Sequence, residues 1–576
     1  MTVDAVIVGS GPGGSTAADI LTAAGWTVVV FEKGRNHLLD PDDLTRPAAE
    51  FSNDEIKFLH RHFLGPDPLV EPRTFRTHTG DGDRIHVGEV NSIPSTVGGG
   101  GTHADGKVPR FRPDDFALAS TYGPQEGADV ADWPLSYDDL EPYYAEVERS
   151  IGVAGLAGSN PFAGPRSTPF PMPPGPPMYG ALVSTAAAER LGYHPYPAPT
   201  AANSVPYDGR PACNNCGFCA RFGCPIHAKG DPVAMLRRAM ATGRAELRAE
   251  TFVSAIRFRG SRATGVTFVG PDGVEHTMGA RAVVLAAGAV ESPRLLLLSG
   301  LAHPLVGRYL MTHFQTAAVG ALPRPLHADR GRTVTHLHDD MLVGDHASAA
   351  AAAAGGLPWM RGGMVEHGGA AMPVLEAQRY PWGEAHWEGM LDSPIRRRLW
   401  VLTMQGEDLA SPTNTVDLDP GIRDARGFPV ARITYRPHRH ELVASAHYGP
   451  RLTAILEEMG AEWTLVATSP GLASGRGETS VAIPESRHVM GTLRMGSDPE
   501  TSVVDAAGRL HRFENVVVAD SSVFPSSSGY GPTLTLAALA ARAAHLMAGT
   551  GPASPPPPEA VTGPTPINLG RARTPL

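Results

Sequence analysis

The feature that most limits what this chain can fold into is its first 32 residues. Ala5 to Val8 is a short apolar run that leads directly into Gly9-Ser-Gly11-Pro-Gly-Gly14. Ser15 to Ala24 is alanine-rich and suits a helix, and Trp26 to Phe31 is a second apolar run closed by Glu32. Strand, glycine turn, helix, strand and acid in this order predict a dinucleotide-binding βαβ unit, and hence an α/β fold of Rossmann type. Gly9 permits the tight turn, Gly11 lets the main chain approach a pyrophosphate, and Gly14 lets the helix settle on the strand. The pyrophosphate would lie against free N–H groups at the helix N-terminus, and Glu32 would accept hydrogen bonds from the adenosine ribose.

Composition narrows the class further. With 576 residues the chain can bury large cores, and 42% hydrophobic with 19% charged residues describes a soluble globular protein. A formal charge of −10 argues against nucleic acid or an anionic membrane as a general partner. No apolar run approaches the roughly 20 residues that span a bilayer, so no transmembrane segment is expected. The first strand begins near residue 4, which leaves no room for a signal peptide. Folding in the cytoplasm is the expectation, with export beside a signal-bearing partner left open.

The far end of the chain carries a second block: His488-Val-Met-Gly-Thr-Leu-Arg-Met-Gly496, then Val517-Val-Ala-Asp520, then Gly529-Tyr-Gly-Pro-Thr-Leu-Thr535. Together with the N-terminal turn, this block resembles the glucose–methanol–choline (GMC) oxidoreductases over most of the chain. Within that family the resemblance is to the gluconate and fructose dehydrogenase flavoprotein subunits and to the pyranose oxidase branch. It implies FAD rather than NAD, held by a discontinuous domain of about residues 1–165, 200–320 and 480–550. Residues 321–479 would form an α+β substrate domain on an antiparallel sheet. Residues 166–199 would be a proline-rich surface excursion, and 551–576 a disordered tail.

The same resemblance assigns residues to the flavin. The cluster Ser95-Thr-Val97-Gly98-Gly99-Gly-Gly-Thr-His103 would run beneath the isoalloxazine ring. Ala287 would end the second flavin-contacting strand, Val253 would read adenine through its backbone, and Asp520 would contact the ribityl or pyrophosphate region. Pro532 and Thr533 would open a helix facing the pyrimidine edge, where its dipole favours negative charge. His103 matches the histidine that carries a covalent bond to the flavin 8α-methyl in pyranose oxidases; the alternative is a histidine that only packs or hydrogen-bonds near the ring.

Oxidation of an alcohol by hydride transfer needs a base for the hydroxyl proton, and a neutral histidine suits this. His488 matches the family's catalytic histidine. The second catalytic position, Asn or His in the family, is Gly531 here, so another side chain would have to act or the pocket is widened; Tyr530 is a candidate hydroxyl. The expected substrate is a small-molecule alcohol, more specifically a sugar, glycoside or other polyol, with oxygen or a redox partner as acceptor. The alternatives are a subunit relaying electrons in a complex, with a small partner subunit, or a biosynthetic flavoenzyme with altered chemistry.

All four cysteines fall in one segment, Cys213-Asn-Asn-Cys216-Gly-Phe-Cys219-Ala-Arg-Phe-Gly-Cys224-Pro. The spacing is near a ferredoxin pattern and admits an iron–sulfur cluster, a zinc ion, or thiols that only shape a loop. Two strands are expected in the substrate domain, at Thr415–Asp419 and Val430–Tyr435, and the alanine run 347–354 is expected as a low-complexity loop.

Overall fold

The structure is a computed structural model. It describes residues 2–552 except 38, 41, 43–65, 92, 220–222, 302, 329, 370–380, 392–396 and 469–485. The expected tail lies outside the described residues from 553 onward.

The N-terminal reading holds element by element. Thr2–Val8 is a strand, Pro12–Ala23 a helix and Val28–Phe31 a strand. These strands are apolar on both faces because both faces are covered, as a parallel sheet requires. Thr2–Val8 lies between Val28–Phe31 and the long strand Glu275–Leu285, parallel to each. The latter pairs along its first half with Arg262–Val269, antiparallel, and at its end with Val516–Val518, parallel. With Ala245–Arg248 and Phe252–Arg259 this makes one seven-stranded sheet. Helix Pro12–Ala23 packs its small residues, Ala17 and Ala18, in the same core as Ala540 and Ala544 of the C-terminal helix Thr533–Ala548.

Two six-stranded sheets follow among the described residues. One orders its strands as 490–492, 308–311, 415–423, 429–434, 73–76 and 86–88; the other as 463–468, 314–321, 399–406, 363–367, 336–338 and 196–197. The last is antiparallel throughout. Its Trp400, Leu402 and Met404 share a core with Leu452, Ile455 and Leu456 of helix Arg439–Glu458. The architecture is therefore the expected one: a Rossmann-like α/β sheet joined to an α+β unit on an antiparallel sheet. Thr415–Arg423 and Pro429–Thr434 are strands, as expected.

Two expectations need correction. The alanine run is a helix, His346–Ala354, because alanine is the best helix former and Asp345 caps it, accepting from Ser348 N at 2.7 Å. The stretch 166–199 does not simply cross the surface. It carries helix Tyr179–Arg190, whose Ala181, Ala187 and Ala188 are fully buried, and its residues 196–197 pair with His336–Leu337.

A buried ionic cluster ties the first sheet's helix Gly288–Leu298 to the second sheet. Arg294 donates to Asp424 Oδ2 at 2.7 Å and to Pro429 O at 3.0 Å, and its charge also meets Glu291 and Glu71. Removing the cation leaves Asp424 buried without its ion pair, while Glu71 keeps Lys33 and Glu291 keeps Lys33 and Arg73. Arg294→Met is expected to cost about 3–5 kcal/mol, read as a lower urea midpoint; an unchanged midpoint would show that the cluster adds nothing to stability.

Candidate active site

Val8, Leu285 and Val518 end side by side, with Phe31 in register beside Val8. The residues after them gather at the carboxyl edge, where open α/β sheets take ligands. Gly9 turns the chain there with φ +100°, and a Cβ on it would come within 2.4 Å of Ala286 O. A Cβ on Gly13 would lie 1.6 Å from Ala519 O, so the first helical turn is wedged between the other two strand ends.

The acids at this edge brace the main chain. Glu32 Oε2 accepts from Ser10 N at 3.1 Å and Ser10 Oγ at 2.7 Å, while Oε1 accepts from Gly34 N at 2.9 Å. Thr251 N donates to Glu32 O, which sets Val253 close by at the start of its strand. Asp520 accepts from Gly288 N at 2.8 Å, Ser292 Oγ at 2.6 Å and Ser522 N at 2.9 Å. It thereby fastens the turn at Ala287 to the end of the last strand; burial raises its carboxyl above the usual range.

The second glycine cluster stacks on the first. Val97 N donates to Arg35 O at 2.9 Å and Gly98 N to Ser10 Oγ at 3.0 Å, and a Cβ on Gly99 would sit 3.1 Å from Gly11 Cα. The short helix Gly99–His103 ends on buried His103. Lys229 Nζ donates to the carbonyls of Thr102 and Ala104, on either side of that histidine. Pro12, Gly101, Lys229 and Thr533 border one cavity, onto which the N-termini of both flanking helices open. Pro532 caps the second of these helices. A Cβ on Gly11, Gly100 or Gly288 would meet nothing within 4 Å, so these main-chain faces look into open space.

His488 lies beside this region. Its Nδ1 is 2.8 Å from His313 Nδ1, with the two rings nearly perpendicular. His313 Nε2 lies 3.5 Å from the carbonyl oxygen of Ser527, which can only accept. His313 thus carries its proton on Nε2. Burial lowers its basicity to a pKa of about 4, so it is neutral and its Nδ1 accepts from His488 Nδ1–H. The tautomer that follows leaves His488 Nε2 bare, as a base requires. Burial, then His313 and Lys107, hold His488 well below the usual histidine range.

Gly531 is in the expected place: a Cβ there would lie 3.7 Å from His488 Cε1 and 3.8 Å from Nε2. Tyr530 is not a substitute donor. Its ring is buried against Phe111, and its hydroxyl donates to Asp339 Oδ2 at 2.6 Å. Asp339 also accepts from Tyr196 and Asn160, and burial raises its pKa to about 6. Tyr530 therefore anchors the turn from behind. His313 and Ser527 escaped the sequence reading because neither stands in a spaced motif; a lone polar pair, Thr312-His313, between two strands was the only sign.

The four cysteines are free thiols. None is in a disulfide, and among the described residues no three His, Cys, Asp or Glu side chains converge as a metal ion needs. Cys219 and Cys224 are turned inward while Cys213 and Cys216 stay half-buried. Burial pushes the Cys219 thiol up to about 12, and the other three cysteines are near enough to act on it. No step here is assigned to iron–sulfur or zinc.

Residues 125–315 and 410–540 match the two sequence profiles described as GMC oxidoreductase. The chain belongs to the GMC oxidoreductase family. Similar relatives include the 6'''-hydroxyparomomycin C oxidase of Streptomyces lividus, 31% identical over 95% of this chain and 91% of that one. The gluconate 2-dehydrogenase flavoprotein of Pantoea cypripedii is 28% identical over 93% and 92%, and the fructose dehydrogenase large subunit of Gluconobacter japonicus 30% over 95% and 98%. The fold matches pyridoxine 4-oxidase from Mesorbium loti with a TM-score of 0.60 at 20% identity, covering 95% of this chain and 99% of that one.

As a GMC oxidoreductase the protein acts on CH–OH donors, and the family implies FAD. The residues fit that group: two helix N-termini border one cavity, and the main chain at Gly11, Gly100 and Gly288 looks into open space. When bound, FAD supplies the hydride acceptor. Among the described residues no helix is long and apolar enough to cross a membrane.

Two outcomes follow for His488 and its neighbour. A histidine that takes a proton must be neutral, and a lowered pKa keeps His488 neutral to lower pH. The acid limb of kcat/KM is expected below pH 6.5; a limb at or above 6.5 contradicts the buried pair. The Cβ of Gly531→Asn meets only ordinary contact with the His488 ring. The variant is expected to speed oxidation of a small primary alcohol on the order of 10- to 100-fold by restoring a donor, measured as the rate of flavin reduction; a slower rate would show that the space at 531 is itself required.

Proposed function

We propose that this protein is an FAD-dependent oxidoreductase that oxidises a CH–OH group of a sugar, glycoside or other polyol. The observation that carries this reading is the ordered pair His488–His313, whose tautomer leaves Nε2 of His488 bare next to the vacancy at Gly531. His488 takes the hydroxyl proton at Nε2. His313 accepts at Nδ1 from His488 and passes the new positive charge toward the Ser527 carbonyl, which steadies the protonated state. The absent side chain at 531 leaves room for a ring substituent beside the reacting carbon.

The relatives support a polyhydroxylated substrate, since their names include a gluconate dehydrogenase, a fructose dehydrogenase and a paromamine 6'-oxidase. Oxygen or a redox partner is the acceptor, and the name "large subunit" in one relative supports a partner subunit. His103 is the residue for a covalent link, held rigidly by the Lys229 clamp on both flanking carbonyls.

The test is anaerobic mixing of the holoenzyme with a sugar panel while flavin absorbance is followed. Bleaching by at least one sugar, and a loss of about 10²- to 10⁴-fold in His488→Asn, is the expected result. No bleaching by any sugar or alcohol would sink the reading. Flavin that stays in the pellet after acid precipitation, and is lost in His103→Ala, would establish the covalent link.

A further inference from the structure

The sheet built on strands 314–321, 399–406 and 363–367 has two unlike faces. Trp400, Leu402 and Met404 enter the apolar core under the helices, and the intervening Gln405 points the other way. On that second face runs an unbroken line of hydrogen bonds. Gln315 Nε2 donates to Gln405 Oε1 at 2.9 Å, and Gln405 Nε2 to Glu366 Oε1 at 3.0 Å. Lys107 Nζ contacts Glu366 Oε1 at 2.6 Å and Asp105 Oδ2 at 2.9 Å, and Thr333 Oγ1 donates to Asp105 Oδ2 at 3.2 Å.

This line adjoins the reacting position from two sides. It begins at Gln315, two residues after His313, which immediately precedes the strand Phe314–Ala321. The strand bearing Glu366 also holds the 529–531 turn, because Met364 N donates to Gly529 O at 3.0 Å. Lys107 is near enough for its charge to act on His488.

Stability alone does not explain such a wall, since apolar residues of similar volume commonly do as well as a buried ion pair. The line also keeps hydrogen-bonding capacity. An ammonium has three donors and Lys107 spends two on carboxylates; each glutamine amide has two N–H groups and the bonds above use one of each. Asp105 and Lys107 remain 20% and 11% exposed in their side chains, so the line is not sealed.

We propose that Gln315, Gln405, Glu366 and Lys107 determine specificity by reading hydroxyls adjacent to the one being oxidised. This rests on the sugar or polyol reading above. A hydroxyl both donates and accepts, so neighbouring hydroxyls accept from Lys107 and donate to Glu366 together. A simple alcohol leaves the spare N–H groups of this line unpaired, and a site built for hydroxyls rejects a molecule that lacks them more strongly than an apolar pocket rejects a missing methylene.

The test compares anaerobic flavin reduction by D-glucose, glycerol and 1-butanol in the wild-type holoenzyme, Glu366→Gln and Gln315→Leu. The wild type is expected to favour a polyol over 1-butanol. In both variants the polyol-to-butanol ratio of reduction rate over half-saturation should fall on the order of 10- to 100-fold, chiefly through half-saturation. Equal losses on polyol and butanol, or no change in either variant, would overturn the proposal. If none of the three substrates bleaches the wild-type flavin, the functional reading fails on its own. The line is then judged by calorimetric titration with D-glucose and glycerol: binding that weakens at least about tenfold in Glu366→Gln keeps it, and absence of wild-type binding rejects it.

Discussion

The structure depends on one steric constraint, the squeezing of the first glycine turn between the ends of two strands from far along the chain. Gly9 faces Ala286 O and Gly13 faces Ala519 O, both closer than any Cβ could come. Close approach brings three strand ends to one edge, and everything that would touch a dinucleotide projects from that edge. Asp520 then locks the arrangement by bonding Gly288, Ser292 and Ser522 together. Asp520 thus braces the main chain that forms the surface.

A similar layering governs the base. A buried histidine beside another histidine could adopt either tautomer, and only one is useful. The Ser527 carbonyl removes the ambiguity, because an oxygen that can only accept determines which nitrogen of His313 holds hydrogen, and this in turn determines His488. Ser527 is itself held, since Asp408 N donates to its hydroxyl at 2.9 Å and the hydroxyl returns a bond to Asp408 O at 2.8 Å. Nε2 of His488 is therefore positioned through backbone groups of two separate loops.

How much was legible follows from what kind of signal each part sends. The N-terminal unit was readable because its turn, helix and acid obey fixed spacing, and the position of Gly531 because the motif around it is contiguous. The strands at 314–321 and 399–406 were not, since helices cover one face and the site the other. Leu399-Trp-Val-Leu-Thr-Met-Gln-Gly406 therefore shows no clean alternation of water-facing and core residues. The Gln315–Gln405–Glu366–Lys107 line joins four segments, and no local pattern announces such a meeting. Tyr530 misled because its neighbour is at the reacting position, whereas the turn aims its own ring into the aromatic core.

The strand order carries a consequence for biosynthesis. Thr2–Val8 leaves the ribosome with Val28–Phe31 as its first neighbour, and its other partner begins at Glu275. Its second edge, an apolar run, thus waits for about 270 residues of synthesis, roughly 15–55 s at ordinary elongation rates. The antiparallel sheet, by contrast, draws most of its strands from 314–468 and can assemble soon after they emerge. The final strand of the first sheet, Val516–Val518, comes later still. The cofactor cradle is therefore the last part of the molecule to close, and an unpaired strand edge at the front of the nascent chain is where a holding chaperone would be most needed.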